Sequence, residues 1–242
     1  MCEVCGCGDP HKVSIDVHAS LLSDNDREAH HLREHFVASG ILALNVMGSP
    51  GSGKTALIEA TSRALANLGG GAPRLRLAAV SGDLATSLDA ERLAQAGVPS
   101  ATITTGSACH LDAAMVHHAL HDGALAAAVE SCDVFFIENV GNLVCPAIYD
   151  LGQHANVVVL SVTEGVDKPL KYPVMFRKAD LVVLTKIDLL PHLPGVSLAA
   201  IRENLARVMP SARAIEVSAT SGAGVDDFVR WLGERRAPLS RS

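Results

Sequence analysis

Gly48-Ser49-Pro50-Gly51-Ser52-Gly53-Lys54-Thr55 fits the pattern GxxxxGK[ST] at every position. The run before it, Ile41–Met47 (ILALNVM), is apolar and reads as a buried strand. The run after it, Thr55–Leu68 (TALIEATSRALANL), spaces its apolar residues as a helix does. A strand, a glycine loop and a helix start together make a phosphate cradle. Loop N–H groups converge on the phosphates, and the helix N-terminus adds a favourable dipole. Glycine is needed wherever backbone must approach phosphate closely or turn through positive φ. The predicted nucleotide-binding set is Gly48, Ser49, Gly51, Ser52, Gly53, Lys54, Thr55 and Ala56. Lys54 is expected to neutralise β/γ-phosphate charge, and the Thr55 hydroxyl to ligate Mg²⁺.

Composition narrows the classes. The 242 residues suffice for one α/β domain with a full core. Apolar residues make up 48% and charged residues 19%, which marks a globular chain. A net charge of −6 argues against a nucleic-acid partner, which selects a basic face. Aromatics at 3% leave little for base stacking. No apolar run reaches the roughly 18 residues of a membrane span, so no membrane partner is expected. The N-terminal MCEVCGCGDPHK lacks a charged-then-apolar signal pattern, and the cytoplasm is the expected compartment. There, six cysteines read as thiols or metal ligands rather than structural disulfides.

From Ile41 onward, strand-like runs alternate with helical ones. The strands are expected at Ile41–Met47, Leu75–Val80, Ala101–Thr104, Val134–Glu138, Val157–Val162, Leu181–Thr185 and Ala214–Val217. Helices are expected at Asp89–Gln95, Leu111–His121, Leu198–Val208 and Val225–Arg235, and ahead of the first strand at Ser23–Ser39. Ser23 or Asp24 would cap that first helix, and Gly40 would stop it. This alternation predicts an α/β P-loop fold: a mostly parallel sheet with helices on both faces and nucleotide at the carboxyl ends of the strands. The expected organisation is a metal-binding leader over residues 1–20, a nucleotide-binding domain with its preceding helix over 21–237, and a frayed tail over 238–242.

Four further segments address the nucleotide. Val134-Phe-Phe-Ile-Glu138-Asn-Val-Gly141 is a strand ending in an acid, with glycine three residues on. Glu138 can hold Mg²⁺ directly or through water, and the Gly141 N–H can reach the γ-phosphate. Val80-Ser-Gly-Asp83 ends another strand in an acid, which makes Asp83 a second Mg²⁺ or water-orienting candidate beside the plain alternative of a turn or cap. Lys54, Thr55, Asp83 and Glu138 form the predicted catalytic group. Thr185-Lys186-Ile187-Asp188 resembles the guanine-reading NKxD signature. Two carboxylate oxygens of Asp188 can pair with guanine N1–H and its exocyclic amine, a donor pair adenine lacks, while Lys186 lies along the base and loop. Threonine at 185 stands where asparagine is common. Val217-Ser218-Ala219 resembles the loop whose backbone N–H meets guanine O6. Their order and strand-end placement favour GTP over ATP.

Two cysteine groups suggest a second chemistry. Cys2, Cys5 and Cys7 form Cys-x-x-Cys-Gly-Cys, thiolates close enough to converge on one ion. A planar N/S set suits Ni²⁺; a tetrahedral Zn²⁺ site would need a fourth ligand such as His11. A redox dithiol and an incidental leader are the other readings. Cys109-His110 and Cys145 fall just beyond strand ends on the nucleotide face. Thiolate and imidazole suit Ni²⁺ or Zn²⁺, with water or a two-fold-related chain completing the shell. Two buried cysteines with a capping histidine is the alternative. Cys132 reads as a packed small residue. His30, His31 and His35, like His117, His118 and His121, read as solvated helical faces.

Taken together, these residues resemble the HypB family, the nickel-incorporation GTPases of [NiFe]-hydrogenase maturation. The most specific pieces are the CxxCGC leader, GSPGSGKT, Ser81-Gly-Asp-Leu-Ala-Thr-Ser-Leu-Asp-Ala, Thr105-Gly-Ser-Ala-Cys-His-Leu-Asp112, Glu138-Asn-Val-Gly-Asn-Leu-Val-Cys145-Pro and Thr163-Glu-Gly-Val-Asp-Lys-Pro-Leu-Lys-Tyr172-Pro. The resemblance implies a dimerising, SIMIBI-type G domain that binds GTP or GDP. It implies a tighter nickel site in the leader and a Ni/Zn site of Cys109, His110 and Cys145. Its implied partners are a second copy, bound in a GTP- or metal-dependent way, a nickel-binding co-chaperone and the hydrogenase large-subunit precursor. No polyhistidine run is present, so bulk nickel storage is not expected. With no glutamine after Glu138 to orient water, hydrolysis to GDP and phosphate is expected to be slow. The alternatives are a urease-type nickel GTPase, a metal-sequestering protein with a regulatory nucleotide site, and an ATP-dependent small-molecule kinase.

Overall fold

The structure, a computed structural model, describes residues 15–68, 75–83, 86–106, 108–121, 123–209 and 213–239. Cys2, Cys5, Cys7 and His11 lie outside these residues, as do the last three of the predicted tail. Seven strands form one sheet: β1 Leu42–Gly48, β2 Leu77–Asp83, β3 Ser100–Thr104, β4 Val134–Glu138, β5 Ala155–Ser161, β6 Leu181–Thr185 and β7 Arg213–Val217. Their order is β3-β2-β4-β1-β5-β6-β7, and every pairing is parallel. The helices are α1 Ile15–Ser39, α2 Lys54–Asn67, α3 Leu88–Gln95, α4 Ala113–Leu120, α5 Gly123–Ser131, α6 Lys168–Lys171, α7 Pro173–Arg177, α8 Leu198–Val208 and α9 Val225–Arg236.

A parallel sheet needs cover on both faces, and the strand residues supply it by alternation. Leu42, Leu44 and Val46 of β1 point toward α2 and α9, packing with Leu57, Phe228 and Trp231. Ala43, one step along, points the other way, with Phe135 and Ile137, toward Leu32 and Phe36 of α1 and Val116 of α4. Farther along that second face, Val158 and Leu160 meet Phe176 of α7 and Ile201 of α8. None of the described helices is long and apolar enough to cross a membrane.

Register brings the chemistry to one edge. Val46 stands opposite Glu138, Gly48 opposite Val159, Ser161 opposite Thr185, and Thr185 opposite Val217. The loops after β1, β2, β4, β6 and β7 therefore share one rim. β1 sits between β4 and β5, where the connections change direction, and that is where a parallel sheet opens a crevice.

Local signals fix the ends of the elements. Gly40, at φ 64°, stops α1 as expected; Ile41 N bonds Phe36 O at 2.9 Å and Gly40 N bonds Val37 O at 3.1 Å, a Schellman pair. Two expectations need correction. Helix α1 begins at Ile15, eight residues before Ser23, so neither Ser23 nor Asp24 caps it. Helix α4 begins at Ala113 rather than Leu111, because the Asp112 carboxylate accepts from Met115 N at 2.8 Å and caps it there.

Candidate nucleotide cleft and metal centre

The start of the loop between β1 and α2, and the Gly141 turn that lies against it, leave no room for side chains. A Cβ on Gly48 would stand 2.4 Å from the Val159 carbonyl oxygen, and one on Gly141 would stand 2.8–2.9 Å from Pro50. The Lys54 ammonium folds back over the loop, 3.4 Å from Ser49 O and 3.5 Å from Gly48 O. It is buried, and burial lowers its proton affinity against the opposing pull of Glu138, Asp89 and Glu164. These long contacts are easily exchanged for phosphate oxygens. Ser49 Oγ donates to Glu164 Oε2 at 2.5 Å, so the turn after β5 braces the loop from the far side.

The cleft beside this loop is lined by Pro50, Gly51, Gly53, Lys54, Thr55, Ala56, Gly82, Asp83, Asp89, Arg92 and Glu138–Gly141. Thr55 Oγ1 lies 2.8 Å from Glu138 Oε1 and 3.0 Å from Asp89 Oδ1. One hydroxyl proton cannot serve two carboxylates. Burial meanwhile pushes the Glu138 carboxyl up to about 7, although Lys54 pulls it down. Its Oε2 is buried without a hydrogen-bond partner. A hydroxyl and two acids converging with an orphaned oxygen form a hard-oxygen donor set that fits Mg²⁺. Asp83 lines the same cleft, but its carboxylate accepts from Thr86 N at 3.3 Å and Thr86 Oγ1 at 3.0 Å. Asp89, which sequence reasoning passed over, is the second acid at Thr55. Arg92, also passed over, ion-pairs with Asp89 at 3.2 Å and Glu59 at 3.0 Å on the same wall.

At the other end, Thr185 Oγ1 donates to Ser52 O at 2.6 Å. Threonine thus braces the phosphate loop where asparagine is common. Lys186 adopts the left-handed region at φ 59° and donates from Nζ to Gly51 O at 2.7 Å. A non-glycine residue held there is strained, and such strain gathers at working sites. Asp188 is exposed at the start of a 3₁₀ turn, Ile187–His192. Ser218 is fully buried and bonds its own loop, accepting from Ser221 N at 3.1 Å, and Ala219 O accepts from Arg63 at 3.1 Å. Since β6 and β7 are neighbours, the 185–188 and 218–219 segments leave adjacent strand tips.

Cys109, His110 and Cys145 meet on the same rim. Their ligand atoms all lie within 4.8 Å of one another, the single such group of His, Cys, Asp or Glu among the described residues. The two sulfurs are 2.9 Å apart, and Cys109 Sγ is 3.7 Å from His110 Nδ1. Two thiolates each ~2.3 Å from one tetrahedral ion would sit roughly 3.8 Å apart, a small opening from this geometry. His110 is buried and stacks on Tyr149, with centroids 3.9 Å apart and planes at 17°. Burial lowers its pKa, with Asp112 opposing, which favours the neutral imidazole that ligates metal. Cys132 behaves differently: burial and then Asp133 push its thiol up to about 12, leaving it inert.

The two sites share a frame. Asn142 forms an antiparallel bridge to Gly48 of the phosphate loop and donates from Nδ2 to Cys109 O at 3.4 Å. Asn139, next to Glu138, accepts from Leu111 N at 3.2 Å and donates to Asn45 Oδ1 at 3.2 Å. One loop, 138–145, therefore holds an acid of the cleft at one end and a thiol of the metal group at the other.

Residues 42–216 match the family described as CobW/HypB/UreG, nucleotide-binding domain. Hydrogenase maturation factor HypB of Rhizobium leguminosarum bv. viciae is 48% identical over 233 residues, covering 94% of this chain and 73% of that protein. The crystal structure of HypB from Helicobacter pylori in complex with nickel is 38% identical, with a TM-score of 0.80 over 90% of this chain and 98% of the other. The HypB structure from Archaeoglobus fulgidus is 37% identical, with a TM-score of 0.76 over 90% and 100%. The sheet, the phosphate loop and these likenesses agree: the chain belongs to the CobW/HypB/UreG family, as one of its HypB hydrogenase maturation factors.

Proposed function

We propose that this protein is a GTP-hydrolysing nickel carrier that delivers Ni(II) to a [NiFe]-hydrogenase precursor, working in the cytoplasm as a homodimer with a nickel-binding co-chaperone. The observation that carries the reading is the single loop joining Glu138 to Cys145, with Asn142 tied to both Gly48 and Cys109. The loop amides and Lys54 hold the phosphates. Thr55 and Glu138, with Asp89, would hold Mg²⁺, which neutralises phosphate charge when bound. Asp83, on the cleft wall, would orient water. Asp188 reads guanine, Lys186 lies against it, and the Ser218–Ala219 segment closes the base pocket. Cys109, His110 and Cys145 take Ni²⁺ as cargo, or Zn²⁺ in competition, and the Cys2, Cys5 and Cys7 leader supplies a tighter nickel site. Seating the γ-phosphate against Gly141 shifts the 138–145 loop and with it the Cys145 thiol. Hydrolysis then resets the carrier, on the order of 10⁻³–10⁻² s⁻¹ without help.

Nickel transfer tests the reading against simple sequestration. Nickel-loaded protein is mixed with a chelating acceptor in the presence of GTP, GDP or a nonhydrolysable GTP analogue. Carrier function predicts that transfer rates differ between nucleotide states and that Cys109→Ala removes the difference. Equal rates in every state would support sequestration instead.

A further inference from the structure

Helices α1 and α4 pack side by side and bring together two histidine runs that lie more than eighty residues apart in sequence. The register is set in tiers. Asn25 Oδ1 accepts from Ala113 N at 2.9 Å, and three residues on along α1 the Glu28 carboxylate meets His117 Nδ1. Beyond that, His121 stands one turn past His117 with ring centroids 4.9 Å apart. On the α1 side His35 lies two turns past Glu28, and partial burial, then the charges of His121 and His117, hold its pKa below the usual imidazole range. Two imidazoles and one carboxylate thus meet at a seam that neither run reveals alone.

The Glu28 contact fixes more than position. With Nδ1–H donated to Glu28, the His117 lone pair is on Nε2. A carboxylate holding one ring nitrogen so that the other can ligate is the usual arrangement behind a metal-bound histidine. His121, the residue that ends α4, follows His117 by four positions, the spacing of a chelating pair. His121 is exposed and His117 is half-buried, so the rings can turn toward an ion arriving from solvent. We propose that His117 and His121 form a separate two-imidazole site for a late first-row divalent ion, Ni²⁺ or Zn²⁺, with Glu28 as the positioning carboxylate and water completing the shell. Its nitrogen donors contrast with the thiols of the Cys109 group, so it exchanges ions faster and takes no part in the nucleotide cycle. The outward rows His30 and His31, whose nearest acid is Glu34 on the same helix, are not part of it.

The test uses the full chain with Cys2, Cys5, Cys7, Cys109 and Cys145 changed to serine, titrated with Ni²⁺ alone. The seam predicts one bound ion per chain with an all-nitrogen and oxygen shell by X-ray absorption. His121→Ala in that background should weaken binding at least tenfold. Glu28→Gln should weaken it by roughly ten- to a hundredfold at unchanged stoichiometry, with the His117 tautomer shifting in its ¹⁵N spectrum. No bound ion, or binding that survives His117→Ala/His121→Ala and disappears with His30→Ala/His31→Ala, would overturn the proposal. Should the five-serine chain fail to fold, the same histidine variants in the wild-type chain must lose one equivalent of nickel by equilibrium dialysis; retention of every equivalent would reject the seam site. GTP turnover should be unchanged by His121→Ala, which distinguishes this site from the Cys109 group.

Discussion

Thr185 and Glu138 show how single residues shape the cleft. Thr185 gives the Ser52 carbonyl a buried 2.6 Å hydrogen bond. Thr185→Val keeps the shape and removes the donor, leaving a buried acceptor unpaired at a cost of about 1–3 kcal/mol. GDP affinity, measured by fluorescent-nucleotide displacement, should fall about tenfold with the fold intact. Glu138 carries the pH dependence. Its carboxyl is pushed from 4.5 to about 7 by burial. Between those values the folded chain keeps a proton that the unfolded chain has lost. Its contribution to stability is thus full below about 4.5 and disappears as pH rises through about 7. Urea unfolding of the nucleotide-free, metal-free protein should lose on the order of 3 kcal/mol across that window relative to Glu138→Gln, whose amide does not titrate. Matching pH profiles for the two proteins would mean that Glu138 titrates as an ordinary acid. Gly48, Lys54, Thr55 and Glu138 were legible in sequence because each sits at a fixed distance from a strand end. Asp89 was not, because only the fold of α3 back over α2 brings it to Thr55.

At the scale of elements, the segment from Glu138 to Cys145 matters most. An alanine Cβ at 141 would press on both the ring and the backbone of Pro50. Overpacking of this kind costs about 1–3 kcal/mol. Gly141→Ala should therefore weaken GDP binding about tenfold or more and move nickel affinity at Cys109 and Cys145 with it. A change in one affinity alone, read by calorimetry, would uncouple the two ends of the loop. The strands were legible because burial on both faces leaves continuous apolar runs; Val134–Glu138 and Leu181–Thr185 fall where expected to the residue. Helix α5, GALAAAVES, was missed because a nearly all-apolar segment has no polar stripe to mark its period. The early start of α1 was missed because Ser23 and Asp24 look like caps although the helix runs through them. The Asn45–Asn139–Leu111 ties span up to 94 residues and leave no local signal.

At the scale of the whole molecule, apolar side chains beside the metal group face solvent. Val144 and Ile148, 51% and 52% exposed, flank Cys145; in the proposed dimer they would be buried against the second copy. Ile148→Asp should raise the dimer dissociation constant at least tenfold in sedimentation experiments with GTP analogue and Ni²⁺, while GDP binding by the monomer stays unchanged. The central claim is that occupancy of the phosphate cradle is felt at the thiols, and linkage requires that the effect run both ways. The most direct measurement is Ni²⁺ titration of the Cys2/Cys5/Cys7→Ser protein, once with GDP and once with a nonhydrolysable GTP analogue, with Asn142→Ala in parallel. The account predicts nickel affinities differing by at least about fivefold between the two nucleotides, and a difference reduced toward one in the Asn142 variant. Equal affinities for the two nucleotide forms of the Asn142-containing protein would contradict it.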